Sequence, residues 1–149
     1  MADGLDEFVN EIEKKIFEET KETYGEEAFQ RWLNPINQGP MEEPDGYALL
    51  TGSCSDAMQI FLKFKEGIVS EATFQTDGCG ASSVCGSFAA EMAVGKDPVE
   101  LLSITGEAII ERLGGLPEEE RHCAFHAAET LQAALNDYMI KQNSKNREK

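Results

Sequence analysis

An α+β fold is predicted for this chain: a small antiparallel sheet of about three strands packed against several helices. Two observations carry that expectation. On either side of Glu66-Gly67, apolar residues recur at every second position, the period of two paired strands. Before and after that stretch they recur three and four apart, the period of helices with one buried stripe.

The first segment is helical by this criterion. Leu5, Phe8, Val9, Ile12 and Ile16 fall on one stripe, with Asp6, Glu7, Glu11 and Glu13 off it. Gly25 interrupts, and Phe29, Trp32 and Leu33 suggest a further short helix. Residues 1–33 therefore read as an acidic, amphipathic helical extension. From Asn34 to Gly46 the chain carries Pro35, Gly39, Pro40, Pro44 and Gly46, which predicts a loop.

Tyr47 to Leu50 supplies one strand. Met58, Ile60, Leu62 and Phe64 form the apolar face of the next, and Ile68, Ser70, Ala72, Phe74 and Thr76 that of its partner. A two-residue turn would pair residues of opposite faces, so a three-residue loop, Lys65-Glu66-Gly67, is expected. That register sets Phe64 against Ile68, Ile60 against Ala72 and Met58 against Phe74. Extended to the open end, it sets Cys54 opposite Gly78, next to Cys79.

After Cys79-Gly80 the helical period returns through Ala81, Val84, Cys85, Phe88 and Met92, ending near Gly95. Short helices follow from about Pro98 and around Thr105 to Leu113. The last helix is expected to begin at Pro117, with Glu118, Glu119 and Glu120 matched to its positive end. Its stripe runs from Ala124 through Leu131 to Tyr138. Residues 34–140 thus form the body of one domain, and the polar residues 141–149 read as a flexible tail.

Composition narrows the function. With 149 residues, 41% of them hydrophobic, the chain can bury a core without staples. A formal net charge of −15 repels phosphate backbones and anionic lipids, which argues against nucleic acid and membrane surfaces as partners. The acidic N-terminus does not resemble a signal peptide, and no apolar run approaches the ~20 residues of a membrane span. A cytoplasmic location is expected, and with it four reduced cysteines rather than two disulfides.

Three short elements carry reactive side chains: Cys54-Ser55-Asp56, Asp77-Gly78-Cys79-Gly80 and His122-Cys123. The hairpin brings Cys54 and Cys79 to loops at one end. Cys123 lies near a helix N-terminus, where the dipole favours the thiolate that binds metal. Thiolates with one further nitrogen or oxygen donor suit zinc or iron–sulfur chemistry, with Asp56 and His122 both candidates for that donor. Cys85 falls on an apolar stripe and is read as core. His126, one turn beyond His122, is read as a histidine at the surface or supporting the site from behind its ligands.

These elements occur in a recognisable order: Asn34-Pro35-x-Asn37, Thr51 to Met58 around Cys54, Asp77 to Ser83 around Cys79, Val94-Gly95-Lys96, and Leu116-Pro117 to His122-Cys123-Ala124. The set resembles the iron–sulfur cluster scaffold family, the IscU-type proteins and the N-terminal domain of NifU, from about Asn34 to Tyr138. The resemblance implies that residues 34–140 are a scaffold domain and not an enzyme. It also implies that Cys54, Asp56, Cys79, His122 and Cys123 correspond to cluster and metal residues. A pyridoxal-phosphate cysteine desulfurase would deliver sulfur as a persulfide, with Cys123 the expected acceptor. Iron would join, and a transient [2Fe–2S] cluster would be built and passed to recipient apo iron–sulfur proteins, with zinc able to occupy the cluster-free protein. The alternative within the same resemblance is a zinc-bound sulfur acceptor of sulfurtransferase type, working with the same desulfurase. Members served by a specialised Hsp70-type chaperone carry Leu-Pro-Pro-Val-Lys before the His-Cys pair. Here Glu118, Glu119 and Glu120 follow Leu116-Pro117, which argues against that partnership.

Overall fold

The computed structural model describes residues 30–31, 35–52, 56–78 and 80–147. Three strands, β1 (Gly46–Thr51), β2 (Ala57–Lys65) and β3 (Ile68–Thr76), form an antiparallel sheet in the order β1-β2-β3. Four helices follow: α1 (Gly80–Ala93), α2 (Pro98–Leu101), α3 (Gly106–Leu113) and α4 (Arg121–Arg147). The α+β architecture matches the expectation. The N-terminal stripe from Leu5 to Ile16 and the short helix around Trp32 lie outside the described residues, apart from helical Gln30 and Arg31.

The core forms where the alternating face of the sheet meets the helical stripes. Met58, Ile60, Leu62, Ala72 and Phe74 are buried against Val84, Cys85 and Phe88 of α1 and Ala127, Leu131 and Ala134 of α4. Helix α4 lies over β1 and β2, and α1 over β3. Close approach is possible because two contact positions lack side chains. A Cβ on Gly46 would stand 2.5 Å from the Ala134 carbonyl oxygen, and one on Gly86 would stand 2.5 Å from the Phe74 ring. Cys85 is fully buried in this core, as its place on the stripe implied.

The expected hairpin register needs correction. The turn has two residues, and both are left-handed, Glu66 at φ 55° and Gly67 at φ 80°, which is the arrangement whose twist matches paired strands. Lys65 pairs with Ile68 and Phe64 with Val69. On its own this would mix the faces. A bulge at Ser70 restores them, so that Lys63 pairs with Glu71, Leu62 with Ala72, Ile60 with Phe74 and Met58 with Thr76. At that bulge the Ser70 hydroxyl donates to the Lys63 carbonyl at 3.2 Å. Val69 consequently turns into the core while Ile68 is exposed. Glu66 holds a backbone conformation that asparagine adopts more readily, so Glu66→Asn is expected to raise stability by about 0.5 kcal/mol in urea unfolding.

Both sheet edges are covered. Along the free edge of β3, Gly39 N–H donates to Phe74 O and Phe74 N–H to Asn37 O, both at 2.9 Å. Further along, Gly95 N–H donates to Val69 O at 2.9 Å and Val69 N–H to Lys96 O at 3.0 Å. At the β1 edge the Tyr47 N–H donates to the Asp137 carboxylate of α4 at 3.0 Å. Unpaired strand edges are templates for association, and these contacts remove them.

The helix starts follow local chemistry. Asp97 and Glu100 form a reciprocal capping box at α2, and the Thr105 hydroxyl caps α3 by accepting from Ala108 N–H. Glu118–Glu120 form a 3-10 turn, and α4 proper begins at Arg121 rather than at Pro117. Cys123 is therefore the third residue of α4. Where a polar flexible tail was expected from Lys141, the helix continues to Arg147. Among the described residues no helix is long and apolar enough to cross a membrane.

Candidate functional site

The open end of the sheet meets the N-terminus of α4. β1 leads through Gly52 into the segment that carries Cys54, and β3 leads through Asp77 and Gly78 to Cys79 and α1. Cys54 and Cys79 lie outside the described residues. The positions around them are held by a specific set of hydrogen bonds. Gly52 N–H donates to Asp56 O at 2.8 Å, closing the loop at its base. Ala57 N–H donates to the Asp77 carboxylate at 2.8 Å, and the Thr76 hydroxyl donates to Ala57 O at 2.8 Å while accepting from Gly78 N–H at 3.1 Å.

These bonds continue the β2–β3 register beyond Met58 and Thr76, which places Asp56, rather than Cys54, opposite Gly78. The expected pairing of Cys54 with Gly78 is thus displaced by two residues, for the same reason as the hairpin register. The Asp56 carboxylate lies so close to the Gly78 backbone that a Cβ there would be 3.0 Å from Oδ2. From the other side Ser82 of α1 approaches, with its Oγ 2.7 Å from the same point. Gly78 is therefore glycine because two side chains need the space beside it.

Ser82 in turn links to the third element. Its hydroxyl donates to the Cys123 sulfur at 3.6 Å, and the His122 Nε2 lies 3.6 Å from that sulfur. Cys123 and Ser82 are buried, Asp56 is half-buried and His122 is exposed. A carboxylate, a hydroxyl, a buried thiol and an imidazole thus follow one another in a line that passes the residue preceding Cys79. Among the described residues Asp56, His122 and Cys123 do not by themselves converge on one metal position. The set combines soft sulfur with harder nitrogen and oxygen donors.

Ser82 went unassigned in the sequence. It sits one position off the stripe of Ala81, Val84 and Cys85, in a helix that also holds Ser83 and Ser87, so nothing in the sequence singled it out. Of the two residues that tie β3 to the start of β2, Thr76 was legible only as part of a strand face and Asp77 only as part of the motif around Cys79. Of the two readings of His126, at the surface or behind the ligands, the first does not hold. The residue is buried, and its Nε2 lies 2.9 Å from Leu50 O.

Comparison with known proteins gives one consistent result. Residues 23–145 match the family model described as the NifU-like N terminal domain. The iron-sulfur cluster assembly scaffold protein IscU 1 of Archaeoglobus fulgidus is 40% identical over 119 residues, covering 79% of this chain and 78% of that protein. The IscU scaffold protein of Aquifex aeolicus is 35% identical over 122 residues, covering 80% of this chain and 78% of that protein. Among solved structures, the NifU-like N-terminal protein of Brucella abortus superposes with a TM-score of 0.64 at 17% identity, over 82% of this chain and 98% of that one. That likeness is one of fold.

Proposed function

Since this chain belongs to the NifU-like N-terminal domain family, we propose that it is a scaffold on which a transient [2Fe–2S] cluster is assembled and from which it is transferred to apoproteins. It binds and hands on rather than catalysing turnover. The observation that supports this reading is the line of contacts from Asp56 past Gly78, the residue before Cys79, to Ser82 and on through Cys123 to His122. The cluster is the cargo of such a protein. Its ligands are drawn from the thiolates of Cys54, Cys79 and Cys123, with Asp56 or His122 supplying the fourth donor. The partners are a cysteine desulfurase, which supplies sulfur, and recipient apo iron–sulfur proteins, and the setting is the cytoplasm.

Sulfur arrival is a thiol exchange. The Cys123 thiolate attacks the outer sulfur of a donor persulfide, a new S–S bond forms on Cys123, and the donor cysteine leaves as its thiolate. Cys123 is oxidised from thiolate to persulfide as the donor cysteine is reduced from persulfide to thiolate, so the exchange needs no outside oxidant. Reduction of that sulfur to the sulfide of a cluster takes two electrons from an external reductant. Ser82, donating toward the Cys123 sulfur, stabilises negative charge there. His122, on the exposed side, is placed to exchange a proton with the same sulfur.

The test is anaerobic reconstitution with ferrous iron, cysteine, a reductant and a cysteine desulfurase, read by visible absorption and Mössbauer spectroscopy. The expected product is a [2Fe–2S] cluster that a recipient apo-ferredoxin removes. Tightly held zinc with no cluster under these conditions would favour a zinc-bound sulfur acceptor instead.

Asp56 provides a finer prediction. A carboxylate is a harder ligand for iron than a thiolate and exchanges more readily. Asp56→Ala is expected to assemble a cluster and release it to apo-ferredoxin several-fold more slowly than the unaltered protein. Equal transfer rates would leave Asp56 as a residue of the turn alone.

A further inference from the structure

His126 stands on α4 one turn beyond Cys123 and touches β1 at its last residues. A carbonyl oxygen only accepts, so the contact of 2.9 Å between Nε2 and Leu50 O fixes a proton on Nε2. The other face of the ring lies against Gly52. A Cβ on Gly52 would be 2.9 Å from Nδ1 and 3.1 Å from Cε1, so the close approach of strand and imidazole requires glycine there. The same Gly52 donates its N–H to Asp56 O, closing the loop that carries Cys54. The ring is 8% exposed, and alongside it a small cavity is lined by Gly52, His122, Phe125, His126 and Glu129.

We propose that His126 is a positioning residue for the cluster site: a strut that fixes the root of the Cys54 loop relative to Cys123. The reasoning is geometric. Cys123 and His126 belong to one rigid helix, three residues apart, so their relative position is set by the helix. Leu50 and Gly52 are the last residues before the segment carrying Cys54. One hydrogen bond and one packed ring thus join the two elements that deliver thiolates from different parts of the chain. The Asp137 bond to Tyr47 ties the start of β1.

The inference rests on the scaffold reading, and its test separates the two. His126→Leu keeps an apolar side chain of comparable reach but no donor, while His126→Gln places an amide N–H where Nε2 stands. In the cluster-free protein, hydrogen exchange followed by NMR is expected to show the Gly52 amide exchanging at least tenfold faster in His126→Leu. Protection should return to within about threefold of the unaltered value in His126→Gln, with the amides of β3 unchanged in both. In the reconstituted protein, His126→Leu is expected to lose its visible absorption to a chelator at least fivefold faster and to show an altered visible circular dichroism spectrum. His126→Gln should be close to the unaltered protein in both. If the two variants are equally impaired, or neither differs from the unaltered protein, the strut is refuted. If the unaltered protein assembles no cluster, the scaffold reading fails, and the exchange of Gly52 alone decides whether the strut exists.

Discussion

Replacing Cys54, Cys79 or Cys123 singly by serine is expected to reduce retained cluster to less than a tenth of the unaltered protein after anaerobic reconstitution. The reason is chemical. A serine hydroxyl is hard and stays protonated near neutral pH, so it does not replace a thiolate on iron. The fold should survive in each case. Cys123 is buried beside Ser82, so its replacement buries one more hydroxyl, at a cost of about 1–3 kcal/mol. Cys85 provides the contrast. It is fully buried among the apolar residues of α1, so Cys85→Ala should lower stability while leaving cluster yield unchanged. The measurement is iron and sulfide content beside the visible spectrum, with urea unfolding of each cluster-free variant. Loss of the cluster in Cys85→Ala together with its retention in Cys123→Ser would overturn the ligand assignment.

The second large effect concerns the contact that presses α1 onto β3. Phe74→Ala empties a fully buried site and is expected to cost about 3–5 kcal/mol. Gly86→Val forces new atoms into the Phe74 ring and is expected to cost about 3 kcal/mol. The two substitutions act on one space. In the double variant the valine methyls fill part of the cavity left by Phe74, so the combined cost should fall short of the sum by at least about 1 kcal/mol. Urea unfolding of the four proteins closes the cycle. Additive costs would show that Phe74 and Gly86 do not share that contact. The pair bears on the proposed site because β3 ends two residues before Gly78 and α1 begins at Gly80.

Much of this architecture was legible because it rests on local chemistry. The alternation from Met58 to Thr76 marked the hairpin, since strand side chains alternate whatever surrounds them. The helices expected from about Pro98 and around Thr105 begin close to those positions, where the side chains of Asp97, Glu100 and Thr105 satisfy backbone N–H groups within the same turn. Cys85 declared itself as core by its place on a stripe. The motifs around Cys54, Cys79 and Cys123 pointed to the family and to the candidate ligands.

What the sequence determined by itself was therefore, among the described residues, the main strands and helices, their order, the inward face of most of them and the identity of the reactive side chains. The tertiary structure decided the register and everything that hangs on it. A shift of two residues leaves every apolar face where it was, so periodicity could not separate the expected pairing of Ile60 with Ala72 from the observed pairing with Phe74. That choice followed from a two-residue left-handed turn and a compensating bulge at Ser70, and it set Asp56 opposite Gly78. Ser82 beside Cys123 escaped notice for a related reason, as did the contact of His126 with Leu50 and Gly52, although His126 itself reads as either a surface histidine or one behind the ligands. Each is an ordinary residue within its own helix, and its role arises from groups far away in the chain that only packing brings within reach.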